Sequence, residues 1–195
     1  ALAHHRPAGC SFKAVVFTNL SHDHLDFHQT LEAYFVAKSR LFNAEEYSSE
    51  IKVVNADDSY GQRLLKMLNG QAVTYGFKTG DFTVASVEAV NTDGIKLVIK
   101  GPKGLKLKIA SSLLGYFNIY NLLAAAATAA ALGFSSKQIE AGIKALKFVP
   151  GRFMPVNCGQ NFSVIVDYAH TPDGLKKVIE SARQLGAKRV ITVFG

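Results

Sequence analysis

Short apolar runs alternate with amphipathic stretches along the first part of the chain. The β-branched runs at 13–20 and 51–55 predict buried strands, and apolar residues at helical spacing predict helices over 30–42 and 59–68. Strands that alternate with helices are typical of parallel βαβ units. The pattern therefore predicts an α/β domain with a parallel sheet.

The middle of the chain has a different pattern. Three strands are predicted at 83–90, 94–100 and 105–110, and segments rich in Gly, Asn, Asp and Pro separate them. The second and third alternate apolar with polar residues. This alternation is typical of antiparallel strands with one face on the core and one in water. We therefore predict an antiparallel meander after the βαβ units.

Two helices are predicted to follow the meander, over 118–132 and 135–146. The second begins with Ser135 and Gln138, which have the spacing of a capping box. In that motif the two side chains reciprocally satisfy backbone amides of the first helical turn.

The Pro150-Gly151 pair breaks the helical pattern, and we place a domain boundary after Arg152. The first domain then spans 1–152 and a second α/β domain spans 153–195. The elements predicted for the second domain have the order of a βαβ unit: a buried strand at 162–167, a helix over 171–185 and a strand at 188–194.

Composition narrows the class of protein. Of the 195 residues, 48% are hydrophobic and 19% are charged, which indicates a globular chain rather than a disordered one. No apolar run approaches the roughly 18 residues that a membrane span needs. Cys10 and Cys158 are far apart and lack CxxC spacing, which favours free thiols in a reducing cytoplasm.

The net charge of +7 suits anionic ligands such as phosphates. Much of the excess lies in five lysines of the predicted meander, Lys96, Lys100, Lys103, Lys106 and Lys108. No aromatic residues are interleaved with them, so a nucleic-acid groove is not favoured. We interpret them as a solvated face.

Three His and two Asp residues lie in the segment 21–28, directly after the first predicted strand. Imidazole and carboxylate groups are common metal ligands, so the segment is a candidate metal site. A hydrolase pattern of the form HxHxDH would need His directly after Asp26, but Phe27 intervenes. Helix capping by these side chains is the other interpretation, and the residues alone do not decide between the two.

Lys38 lies on an apolar helical face, one turn after Tyr34. A buried lysine is costly unless it is paired or chemically altered. Periodicity by itself favours a simpler arrangement, in which the side chain extends out of the interface to water.

Two further groups of residues are candidates for ligand binding. Asn118 and Asn121 are three residues apart in the first turn of a helix, so their amides face one way. Asp167 to Thr171 follow a predicted parallel strand, where open α/β sheets bind ligands. Arg152, at the boundary, could bind a phosphate or ribose across the cleft, or could simply be solvated.

These segments together resemble the Mur ligase family, and most closely its member that adds the third residue to the cell-wall peptide precursor. The motifs that carry the resemblance occur in one order over nearly the whole chain: TNLSHDHLDFH, Tyr34 with AKSRLF, VNADD, GYFNIYNLLAA, PGRF and DYAHTPDGL. The last motif is the most discriminating. The implied fold is α/β: the parallel sheet of a Mur ligase central domain with an antiparallel meander, then the start of a Rossmann-like α/β domain.

The resemblance also implies roles for single residues. His24 would be a magnesium ligand, and Lys38 would be the lysine that family members carbamylate to help hold magnesium. The implied adenine neighbours are Asn118 and Asn121. The implied contacts near the ribose and phosphates of ATP are Arg152, Asp167 and His170, and Arg6 would contact the UDP-sugar-peptide.

The implied activity is ATP- and Mg²⁺-dependent amide bond formation through an acyl phosphate, in cytoplasmic peptidoglycan precursor synthesis. The partners would be the UDP-MurNAc-dipeptide (UDP-MurNAc-L-Ala-D-Glu) and diaminopimelate or L-lysine, with no nucleic acid and no membrane. The alternative within the same broad fold is a ligase like folylpolyglutamate synthase or cyanophycin synthetase. The motif DYAHTPD argues against both. A metal-dependent hydrolase and a non-catalytic interaction module are the alternatives from other classes.

The chain departs from the family pattern at one motif above all. It contains no GxxGKT-like phosphate-binding loop. The family's magnesium-binding glutamate, upstream of Arg6, is also missing. We therefore expect the chain to be part of a longer ligase and to be inactive alone.

Overall fold

A single six-stranded sheet organises the first three quarters of the chain. The computed structural model describes residues 2–21, 25–43, 47 and 49–194. The strands occur in chain order across the sheet: β1 (Phe12–Phe17), β2 (Ser49–Asn55), β3 (Val73–Gly76), β4 (Phe82–Asn91), β5 (Gly94–Lys100) and β6 (Lys106–Ser111).

The direction of the strands changes at the middle of the sheet. Strands β1 to β4 pair in parallel, whereas β4 to β6 pair antiparallel. The mixed α/β fold with a parallel part and an antiparallel meander is thus confirmed. The sequence pattern did not predict β3, because its four residues are too few to show a periodicity.

Helices cover both faces of this sheet. They are α1 (Leu25–His28), α2 (Leu31–Asn43), α3 (Ser59–Met67), α4 (Phe117–Ala131) and α5 (Ser136–Ala145). Phe35 and Leu64, from α2 and α3, pack with Val54 of β2 in one core cluster. The neighbouring Val53 instead belongs to a second cluster with α4, α5 and the meander. Successive side chains of a strand point to opposite faces, so the two clusters lie on opposite sides of the sheet.

The start of α5 confirms the predicted capping box. Ser135 Oγ accepts from the backbone N–H of Gln138, and the Gln138 side chain in turn accepts from the backbone N–H of Ser135. Such a cap stabilises a helix by about 1 kcal/mol, so the polar pair fixes where α5 begins.

The last part of the chain is a hairpin followed by a helix. Strand β7 (Met154–Val156) pairs antiparallel with β8 (Val164–Val166), and α6 (Pro172–Gln184) follows, with Thr171 capping its first turn. The prediction of a buried strand over 162–167 was wrong in two respects. Only three residues are paired, and Val164 and Val166 are exposed.

The strand predicted over 188–194 does not form either. Within the residues that the structure describes, this run pairs with no other strand, and Val193 is 91% exposed. An apolar β-branched run becomes a strand only where a ladder partner satisfies its backbone groups.

No helix of the described residues is long and apolar enough to cross a bilayer.

Candidate functional site

Several loops meet at the carboxyl edge of the parallel strands, where open α/β sheets bind ligands. Asn55, the last residue of β2, is buried and donates a 2.8 Å hydrogen bond to the carbonyl oxygen of Thr18, just after β1. Its side-chain oxygen accepts from the backbone N–H of Asp57 at 3.0 Å. One amide side chain therefore holds the loops after β1 and β2 together.

The carboxylate of Asp57 is the most heavily bonded acid at this edge among the described residues. It accepts from Phe77 N at 2.6 Å, from Thr79 Oγ1 at 2.6 Å and from Tyr120 Oη at 3.0 Å. Desolvation by burial acts to raise the pKa of Asp57, but these hydrogen bonds, together with one from the backbone of Lys78, outweigh it and lower the pKa. The carboxylate therefore stays ionised and joins three segments.

Asn118 and Asn121 are brought together at the start of α4, as their spacing predicted. Asn118 is buried, and its Nδ2 donates to the carbonyl oxygen of Leu114 at 2.7 Å. Its Oδ1 accepts from Asn121 Nδ2, also at 2.7 Å. The bond between the two amides fixes the orientation of the more exposed Asn121.

The two asparagines line a cavity of about 500 Å³ between α4 and α5. The rest of its wall is mostly apolar and includes Leu113, Leu122, Phe134, Ile139, Ile143 and Leu146. Small-molecule sites commonly combine apolar walls with a few fixed polar groups. The cavity therefore has the character of a small-molecule site.

A second cluster brings together Arg152, Asp167 and His170. Asp167 accepts from the backbone N–H groups of Phe153 and Ala169, each at 2.7 Å. The Arg152 guanidinium lies 4.9 Å from the centroid of the Tyr168 ring, and the His170 ring meets the same ring at 5.0 Å. The Asp167 carboxylate thus organises the loop, while the Arg152 side chain remains exposed.

The two clusters are adjacent. Phe153 is 1% exposed, and its ring meets Phe117 of α4 edge to face at 5.5 Å. Phe117 directly precedes Asn118, so the Asp167 loop is anchored beside the first turn of α4.

The remaining candidates lie near α2. The Lys38 Nζ atom is 4.9 Å from the centroid of the Tyr34 ring. The His28 ring stacks on the Tyr34 ring, with the centroids 4.7 Å apart. Lys38 is half-buried, so its side chain is not sealed in the core.

Further ring contacts lead from this group to the start of the chain. Phe27 contacts His28 at 4.8 Å and His4 at 4.6 Å, and Arg6 is exposed in the turn after His4. His24 lies outside the described residues. Among the residues that are described, no three His, Cys, Asp or Glu side chains are grouped to hold a metal ion.

Comparison with known proteins identifies the family. The family model of the Mur ligase middle domain matches residues 1–129, about two thirds of the chain. The chain belongs to the Mur ligase family. The family model of the Mur ligase glutamate ligase domain matches residues 151–195.

Individual Mur ligases resemble the chain over its full length. The UDP-N-acetylmuramoyl-L-alanyl-D-glutamate--2,6-diaminopimelate ligase of Aquifex aeolicus is 42% identical over 100% of the chain, which spans 39% of that enzyme. A solved structure of a ligase with the same name has a TM-score of 0.76 and 33% identity, covering 94% of the chain and 39% of that structure.

More distant proteins share the fold alone. The folylpolyglutamate synthase of Mycobacterium tuberculosis, solved in complex with ADP and AMPPCP, has a TM-score of 0.69 at 20% identity. It covers 89% of the chain, which spans 39% of that structure.

The carboxyl edge of the sheet contains linked residues that sequence reasoning missed. The sequence assigned no separate role to Asp57, within the motif VNADD, or to Tyr120, within the motif GYFNIYNLLAA. A pair of acids, Asp57-Asp58, that begins two positions after the end of β2 was the available signal. Asp58 caps α3 through the backbone N–H groups of Tyr60 and Gly61, which leaves Asp57 for another role.

Proposed function

We propose that the chain is part of an ATP-dependent ligase that joins diaminopimelate to UDP-MurNAc-L-Ala-D-Glu in peptidoglycan synthesis. The observation that carries this proposal is the 42% identity, over the whole chain, with an enzyme named for that reaction. In this reaction ATP transfers its γ-phosphoryl group to the substrate carboxylate and leaves as ADP. The amine of the incoming amino acid then attacks the acyl phosphate, loses a proton and displaces inorganic phosphate. Positioning and charge neutralisation supply most of the rate enhancement in phosphoryl transfer.

The cavity beside Asn118 and Asn121 is the proposed site of the adenine base. Its apolar wall suits the faces of the base, and the linked amides can bond its polar edge. Arg152, Asp167 and His170 are proposed to contact the ribose and phosphate region. The guanidinium held over Tyr168 supports this role, because arginine suits phosphate recognition.

Magnesium is proposed to be held with the help of His24 and carbamylated Lys38. Lys38 is half-buried rather than sealed in the core, and its Nζ atom lies 4.9 Å from the centroid of the Tyr34 ring. A carbamate would turn this cation into an oxygen ligand of the kind that magnesium prefers. Bound magnesium would neutralise charge on the phosphoryl group during transfer.

The remaining assignments follow from the same reaction. Arg6 is proposed to contact the UDP-sugar-peptide, since it is exposed near the ring contacts that lead to Lys38. We propose a division into parts of a central ATP-binding domain at 1–152 and a C-terminal domain at 153–195. Both cysteines are exposed and unbonded, which supports a cytoplasmic location.

The test is ligation by a full-length enzyme that carries this segment. We expect ADP release that requires both the UDP-MurNAc-dipeptide and diaminopimelate, and that is much weaker with L-lysine. Asn121→Ala should raise the KM for ATP, while Asn161→Ala, a change in the β7–β8 hairpin, should not. ADP release driven by a folate and glutamate, or hydrolysis with zinc or manganese and no ATP, would contradict the proposal.

A further inference from the structure

The Asp57 carboxylate ties together segments that are distant in sequence. It bonds the loop between β3 and β4 through Phe77 N and Thr79 Oγ1, and it bonds α4 through Tyr120 Oη. The partner in α4 is 63 positions away along the chain. Asp57 therefore connects the carboxyl edge of the sheet to the helix that carries both asparagines.

The surroundings leave little room for this carboxylate to move. A Cβ atom added to Gly76 would lie 2.7 Å from Asp57 Oδ1 and 2.4 Å from the carbonyl oxygen of Thr79. Both distances are shorter than real Cβ contacts, so only glycine fits there. The loop between β3 and β4 is thus closed tightly around the acid.

Tyr120 is placed so that its anchor fixes the rotation of α4. It follows Asn118 by two positions and precedes Asn121 by one, and a helix turns by roughly 100° per residue. Tyr120 therefore lies on a different face from the asparagines, towards Phe77, whose ring is 6.5 Å away. The bond to the Tyr120 hydroxyl therefore restrains the rotation of α4 from this face, in addition to the packing of its buried residues.

We propose that Asp57 is a positioning residue for the adenine pocket, acting through Tyr120 on Asn118 and Asn121. It bonds the tyrosine hydroxyl and fixes the rotation of α4, and it does not itself touch the nucleotide. This inference rests on the proposed function, in which the two asparagines border the base.

The first experiment follows the asparagines directly in this chain. Tyr120→Phe keeps the ring but removes the O–H donor, so the side-chain amide NMR signals of Asn118 and Asn121 should shift. Thr79→Val is the matched control, because it removes a hydroxyl bond to the same carboxylate, at 2.6 Å against 3.0 Å for Tyr120, without touching α4. Asp57→Ala leaves the Tyr120 hydroxyl without its acceptor and should move the signals in the same way as Tyr120→Phe. Unmoved signals in Tyr120→Phe, or equal shifts in Thr79→Val, would overturn the inference.

The second experiment measures kinetics in a full-length ligase that carries this segment. Tyr120→Phe should raise the KM for ATP about fivefold, as expected for one misplaced amide contact, with kcat and the KM for the UDP-substrate nearly unchanged. A parallel rise in both KM values, or no rise for ATP, would overturn the positioning role. If the wild-type enzyme shows no ATP-dependent ligation, the proposed function fails, while the NMR experiment still decides the link from Asp57 to the asparagines.

Discussion

The ring of Phe153 meets the ring of Phe117 edge to face, with the ring planes at 88°. This contact joins the segment after Arg152 to the first turn of α4. Phe153 has a left-handed backbone, with a φ of 46°, and its N–H donates to Asp167. A non-glycine residue adopts that conformation only when its surroundings hold it there. The junction between the two proposed domains therefore has a packed and strained anchor.

Phe153→Ala should destabilise the chain by about 3–5 kcal/mol, because it removes a fully buried aromatic side chain. The free energy of unfolding in urea measures the effect. Phe162→Ala is the control, since that ring is 66% exposed and its removal should change stability little. Equal effects of the two changes would mean that Phe153 is not an anchor.

Limited proteolysis should cut the chain in the stretch 146–150 before it cuts within α4. These residues are exposed, and they connect the end of α5 to the anchor at Phe153. Cleavage within α4 should be slow, because its inner face is buried in the core. Mass spectrometry of early fragments tests this order. Early cuts inside α4, with 146–150 resistant, would show that the boundary is misplaced.

Stability should fall in acid partly through Asp57. Its pKa in the fold lies below the ordinary value of 3.8, so ionised Asp57 stabilises the fold above that value. This contribution is lost progressively as the pH falls below about 4 and through the lowered pKa. Urea unfolding should therefore show Asp57→Asn to be less stable than wild type at pH 7, with the gap narrowing in acid. A gap that is independent of pH would contradict the lowered pKa.

Substitutions of Lys38 should affect ligation very differently, depending on whether the lysine is carbamylated or unmodified. In a full-length ligase that carries this segment, Lys38→Ala should nearly abolish ligation and leave the fold largely intact. Lys38→Arg should be equally inactive, because guanidinium keeps its charge and cannot be carbamylated.

A small carboxylic acid added to the Lys38→Ala enzyme should partly restore ligation by supplying the missing oxygen ligand. ADP release with and without the acid is the measurement. Near-normal turnover by Lys38→Arg would instead make Lys38 an ordinary cationic residue beside Tyr34.

Much of the fold was predictable from local pattern. The meander, the helices α2 to α6 and the capping box at Ser135 each depend on residues close together in sequence. The run at 188–194 shows the limit of that reasoning. Its composition is that of a strand, but strand formation depends on a pairing partner, which local sequence cannot supply.

The sequence by itself determined the order of the motifs, the family that they resemble and the helical face shared by Asn118 and Asn121. Only the tertiary structure decided that Asp57 bonds Tyr120 and that Phe153 is buried against Phe117. The physical reason is distance along the chain. Periodicity and caps arise between near neighbours, whereas a carboxylate finds a hydroxyl 63 residues away only after the sheet and helices have packed.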